Sequence, residues 1–166
     1  MKGVVPMITW QQENIADPFN YNGKRNMANT CKSTYNCAGY AFGTYSWYMM
    51  GHDDDEHDLI MEHADSGDYE IALKLASQAI MDELPGWELV GLEAVMERKY
   101  SPNEYEIVAM RFCEYDYHFW KLGRNWNWYD KMGSAGWIDR HAFTEVLARR
   151  WNYRYDSPIM CFIRTR

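Results

Sequence analysis

The order of periodic signals along the chain predicts an α+β domain, with N-terminal helices packed on an antiparallel β-sheet. Residues 68–83 place apolar side chains at 71, 72, 75, 79 and 80, the period of an amphipathic helix, and Pro85-Gly86 ends it. From residue 87 the signal changes. The segments 87–98, 104–113, 117–122, 126–131 and 158–164 read as strands, parted by turns at Ser101-Pro102-Asn103 and Gly123-Arg124-Asn125.

The remaining elements follow in order. Residues 1–30 read as an irregular lead-in, because Asp17-Pro18 and Asn20-Tyr21-Asn22-Gly23 are turn formers with few periodic apolar neighbours. A first helix spans 37–50, capped by Asn36 or Thr34 and stopped by Gly51. His52-Asp53-Asp54-Asp55-Glu56-His57 is a polar loop or a helix entry. Residues 143–151 form a short helix before the last strand. The chain is read as one domain, 1–166, with a helical part at 31–85 and a mainly β part at 86–166.

Composition narrows the function. Seventeen basic and twenty-four acidic residues leave a net charge of −7, which argues against a nucleic-acid backbone as partner. Six arginines in the C-terminal quarter alternate with aromatics, as on a solvated face. No run approaches the ~20 apolar residues that span a bilayer, so no membrane partner is expected. The N-terminal segment lacks the apolar length of a signal peptide, and a cytoplasmic location is expected, including a host cytoplasm or a virion. The cysteines at 31, 37, 113 and 161 make no C-x-x-C pair, so a zinc ribbon is not expected. Cys113 and Cys161 lie in apolar strands and read as reduced core residues.

Two residues carry the chemistry. Cys37 opens a helix, where the positive end of the helix dipole favours thiolate over thiol. His118 lies in the strand-like run Glu114–Trp120, from which an imidazole can take a proton and return it to a leaving group. Each has a bland reading, a small buried residue at a helix start and a core histidine among aromatics. Together they form the pattern of a cysteine hydrolase, whose partners meet in the fold and not in the sequence. A second constellation, His52–Asp58 with Glu62 and His63, has the residue types of a cation site. It lacks the turn glycine of an EF-hand and a third defined zinc ligand, so it reads as a solvated acidic loop. No metal and no cofactor are expected. Trp120, Trp126 and Trp128 are candidates for a cleft lining, although aromatic strands are more often core.

The segments around the pair resemble the papain-like cysteine hydrolases of the NlpC/P60 type, in their bacterial and phage branch. The resemblance rests on the Asn36-Cys37-x-x-Tyr40-Ala41 helix start. It rests also on Glu106–Arg111, Asp116-Tyr-His118-Phe-Trp-Lys121 and Trp128-Tyr-Asp130-Lys131-Met-Gly133. Gly39 and Phe42 depart from the pattern by making the nucleophile helix less regular, as does the lack of a proline near Met132. The resemblance implies a papain-like fold and cleavage of an amide or peptide bond through a thioester, with Cys37 as nucleophile and His118 as base. Asp130 is the first choice for the group that orients the imidazole, in the position where the family carries a polar residue. Asn127 is the alternative, and strand alternation puts the two on opposite faces. The backbone N–H of Cys37 is the natural oxyanion donor, and Asn36 or Tyr35 could supply a second. The implied partner is a peptide or protein substrate. The competing class is a catalytically silent module of the same fold that binds by contact, which the Tyr and Trp content would suit. A third is a metal-dependent hydrolase built on the acidic loop.

Overall fold

The computed structural model describes residues 25–26, 35–133, 138–152 and 154–166. In chain order the elements are β1 (Arg25–Asn26), α1 (Cys37–Ala41), α2 (Asp54–Asp65), α3 (Tyr69–Glu83), β2 (Glu88–Val90), α4 (Leu92–Met96), β3 (Tyr105–Cys113), β4 (Asp116–Leu122), β5 (Trp128–Asp130), β6 (Ile138–His141), α5 (Phe143–Val146) and β7 (Met160–Thr165). The strands form one antiparallel sheet in the order β1-β6-β5-β4-β3-β7-β2. The α+β expectation therefore holds at the level of class.

Strand alternation divides the interior in two. Val108, Met110 and Phe112 of β3, with Phe119 of β4 and Phe162 of β7, meet Cys37, Ala41, Ile60, Ala76 and Ile80 of α1–α3. The intervening Ile107, Ala109, Trp120, Leu122 and Cys161 face a second core closed by Val95, Phe143, Val146, Trp151 and Tyr155. Each face is apolar, so β3 and β7 read as continuous apolar runs. Cys113 and Cys161 are buried free thiols, and burial raises both, Cys161 to about 12.

Several boundaries differ from expectation. The first helix is Cys37–Ala41 and not 37–50. Gly43 and Tyr45 take positive φ of 72° and 51°, and the chain folds back across α1. A Cβ on Gly39 would stand 1.9 Å from the Ser46 carbonyl oxygen, so the glycine that makes the helix irregular is the seat of this crossing. Gly39→Ala is expected to destabilise by about 1–3 kcal/mol, because backbone and not a flexible side chain fills the space. A thermal melt beside Gly67→Ala, where a Cβ meets nothing within 4 Å although φ is +79°, separates crowding from backbone strain.

The acidic loop is the start of α2. Asp53 caps it by accepting from the Glu56 N–H at 2.8 Å, and Asp54, Asp55 and Glu56 occupy the first turn, where negative charge is favoured. The expected strand 87–98 is a three-residue strand followed by α4, because Gly91 turns the chain and Leu92–Met96 are good helix formers. The expected helix 143–151 is only Phe143–Val146. Ile138–His141 is a strand no periodicity announced, and Arg25–Asn26 of the expected lead-in pairs with it. The rest of residues 1–30 lies outside the described residues, as do Cys31 and Thr34.

Candidate active site

Cys37 is the first residue of α1, and Asn36 is its cap. Asn36 Oδ1 accepts from the Gly39 N–H at 2.9 Å and the Tyr48 N–H at 3.2 Å, while Nδ2 donates to the Tyr48 carbonyl at 2.7 Å. One amide thus caps the helix and clamps the returning chain. Lys131, buried, donates Nζ to the Tyr35 carbonyl at 2.6 Å and lies 4.9 Å from the Tyr35 ring centroid. The residues before Cys37 are therefore fastened to the segment after β5, and Cys37 is held from both sides.

His118 lies on β4, sharing a face with Trp120 and Leu122. β4 and β5 pair only at Lys121–Tyr129 and Leu122–Trp128. Past that point the strands part, and Cys37, His118, Met132 and Gly133 line one cleft at the opening. His118 Nε2 stands 2.7 Å from Asp130 Oδ2, and both side chains are almost wholly buried. A proton on Nε2 satisfies that contact and leaves Nδ1 for the thiol of Cys37, which lines the same cleft and helps to raise the imidazole. Burial opposes a charge on His118. Cys37 and Asp130 outweigh burial and raise it from 6.5 to about 10. Trp151 stacks on the imidazole at 5.6 Å, with 6° between the rings, and Trp120 meets it edge-on at 4.8 Å. The ring is thus fixed in orientation and shielded from water.

Asp130 serves a second imidazole. His141, at the end of β6, sets Nε2 2.5 Å from Asp130 Oδ1 and Nδ1 2.8 Å from Glu145 Oε2. It reads from sequence as a surface histidine in a loop; its side chain is 15 % exposed and bonded on both nitrogens. Burial raises Asp130, but hydrogen bonds from both histidines prevail and hold it below the usual carboxylate range. His141 in turn is raised: Asp130 and Glu145 together outweigh its burial. The result is a continuous chain, Cys37–His118–Asp130–His141–Glu145.

The cleft has a volume of about 400 Å³ and is walled by Trp47, Met49, His57, Met61, Tyr115, Asp116, Tyr117 and Tyr155 besides the residues above. Trp47, Met49 and Tyr115 are exposed, at 51 %, 46 % and 76 %. They form an apolar rim. Asp116 is a rim residue whose Oδ2 accepts from the Tyr155 hydroxyl at 2.9 Å. A larger cavity, about 820 Å³, lies at the far end of the chain beside His141, Glu145, Arg149, Arg150, Trp151 and Asn152. It holds no nucleophile, so the smaller cleft is the candidate for chemistry.

One expectation is corrected, and two alternatives resolve to support and to core. Asn127 lies in the turn before β5, its N–H donating to Asn125 Oδ1 and its carbonyl accepting from Gly123, away from His118. Asn36 is occupied as cap and clamp, and Tyr35 meets Lys131 through its carbonyl and ring, so their places in the structure are supportive. Trp120 and Trp128 are fully buried and Trp126 packs on Phe143, so none of the three lines the cleft. Of the acidic constellation, His57 bonds the Met50 carbonyl and His63 bonds Asp68. These two imidazoles do not converge. Among the described residues no helix is long and apolar enough to cross a membrane.

Comparison with protein-family models gave no match, and comparisons with curated proteins and with solved structures gave none.

Proposed function

We propose that the protein is a cysteine hydrolase of papain-like type that cleaves an amide or peptide bond. The observation that carries this is the ordered set Cys37–His118–Asp130, in which a free thiol at a helix start meets an imidazole whose other nitrogen is bonded to a buried carboxylate. An arrangement kept only for packing has no need of an acid–base group between a thiol and a carboxylate.

The chemistry follows from the atoms. Cys37 Sγ attacks the acyl carbon while its proton rests on His118 Nδ1. The carbonyl oxygen becomes an oxyanion beside the Cys37 backbone N–H, which as a first-turn donor has no intrahelical acceptor. His118 gives the proton to the leaving amine, the C–N bond breaks, and a thioester remains on Sγ. Water, deprotonated by His118, then attacks the thioester, releasing the acid and restoring the thiol. Asp130 holds the Nε2 proton throughout and stabilises the imidazolium. The apolar rim of Trp47, Met49 and Tyr115 suits an extended peptide with bulky side chains.

His141 acts through Asp130. Replacing it by glutamine keeps a donor near Asp130 but removes the second positive partner. Acylation of Cys37 is expected to slow by about 10–100-fold, with the pH profile of the reaction shifted, as for outer-shell partners elsewhere. A purely structural histidine would change the melt and leave the pH profile where it is. The proposal itself is tested by intact mass after incubation with activated acyl esters and a peptide panel. An adduct on Cys37 that turns over in the wild type and is absent in Cys37→Ala supports a hydrolase. No adduct, with peptide binding retained, supports the contact-binding reading that the exposed rim also suits.

A further inference from the structure

We propose that the Tyr117 hydroxyl is the second donor to the oxyanion, completing with the Cys37 backbone N–H a two-donor hole in the cleft. This role rests on the hydrolase reading and supplies a group that reading lacks. Asn36 and Tyr35 are engaged as supports, which leaves one N–H facing the developing charge.

Tyr117 directly precedes His118 on β4, so strand alternation sends the two side chains to opposite faces of the sheet. His118 packs against Trp120, Trp151 and Tyr155 on one face. Tyr117 packs on the other, against the core cluster that contains Cys37. Both nonetheless line the cleft together with Cys37, where β4 and β5 part. The nucleophile therefore has an acid–base group on one flank and a hydroxyl on the other. His118 must serve the sulfur and then the leaving nitrogen, so the oxygen of a bound acyl group points away from it, to the Tyr117 side.

The tyrosine is held in place and its hydroxyl is unengaged. Its ring meets Phe119 at 5.8 Å, Phe112 at 6.1 Å and His57 at 5.8 Å, each edge-on. His57 is itself fixed through Nδ1, 2.9 Å from the Met50 carbonyl oxygen. Three such neighbours set the ring before substrate arrives, and a donor that needs no reorganisation is the effective kind. Among the described residues the Tyr117 hydroxyl has no hydrogen-bond partner, and the residue is half-buried at the cleft wall. Burial, and after it the negative charge of Cys37, raises the phenol above its ordinary value, so it stays protonated beside a thiolate. A neutral O–H gives the oxyanion a hydrogen bond and keeps its proton.

The test compares two reactions of Cys37 in the full chain, wild type and Tyr117→Phe. Acylation by para-nitrophenyl acetate passes through an oxyanion, whereas alkylation by iodoacetamide displaces iodide from a saturated carbon and does not. Phenylalanine keeps the ring contacts, and a thermal melt checks the fold. The maximal acylation rate is expected to fall about 10²–10³-fold, with the half-saturating ester concentration and the alkylation rate little changed. Equal loss of both reactions would overturn the proposal, because Tyr117 would then act on the thiol or the fold. Unchanged acylation would overturn it as well. A wild type that iodoacetamide labels at Cys37 and the ester does not would instead overturn the hydrolase reading, and this role with it.

Discussion

Asp130→Asn is expected to slow acylation of Cys37 by about 10²–10⁴-fold while leaving the protein folded. The amide has the shape of the carboxylate but no charge, and it must serve two imidazoles at once. His118 Nε2 lies 2.7 Å from one oxygen and His141 Nε2 2.5 Å from the other. An asparagine can accept from one ring and must offer its donor to the other. Where the donor meets His118, the proton moves to Nδ1 and the ring can no longer receive the thiol proton. In either orientation the imidazolium loses its stabilising anion.

The same change has a stability signature. His118 is raised above its ordinary value of 6.5, so its contribution is fully present below pH 6.5 and is lost as pH rises toward about 10. Asp130 is lowered from 3.8, so its contribution is present above pH 3.8 and is lost as pH falls through the folded value. Between those limits both act. Resistance of the wild type to denaturant should therefore be greatest from about pH 4 to 6.5 and fall on either side. In Asp130→Asn this window should flatten, and an unchanged profile would show that the pair is not ionised.

Arg111→Met is expected to destabilise by about 3–5 kcal/mol, the largest stability change of any single substitution discussed here. Arg111 is 2 % exposed and lies opposite His118 across β3 and β4. Its guanidinium donates to the carbonyls of Val146 at 3.1 Å and Ser157 at 3.2 Å, and to those of Ala148 and Arg149. These acceptors are backbone, so a methionine of similar length fills the space and leaves them unsatisfied. Apolar replacement of a buried charge is often harmless when both partners are replaced; here only one can be. The segment after α5 carries Trp151, which stacks on His118. Loosening it should lower Cys37 reactivity as well as the unfolding midpoint, and calorimetry beside alkylation rates would show both. A midpoint within 1 °C of wild type would contradict the role given to Arg111.

The parts of the site legible in sequence had local signals. Asn36-Cys37 marks a helix start because asparagine is a strong cap, and α3 shows because fifteen residues keep one period. His118 and Asp130 stand in aromatic strands on either side of a turn with Gly123. What stayed hidden was tertiary. Ile138-Asp139-Arg140-His141 has no apolar alternation, and only pairing with β5 makes it a strand and brings His141 to Asp130. The shortness of α1 depends on Ser46 returning over Gly39, a contact between residues that no period links. Arg111, reading as one charge in an apolar strand, gives no sign that four carbonyls converge on it.

The most direct measurement is the rate of Cys37 alkylation by iodoacetamide from pH 5 to 9, followed by peptide mapping in the wild type and in His118→Ala. The thiolate reacts and the thiol does not. Burial raises Cys113 and Cys161, so both serve as unreactive internal references in the folded chain. If Cys37 and His118 form an acid–base pair, Cys37 is labelled well ahead of both at pH 6, and His118→Ala abolishes that lead. Labelling of Cys37 no faster than Cys113, or a lead unchanged by His118→Ala, would contradict the pair and with it the hydrolase.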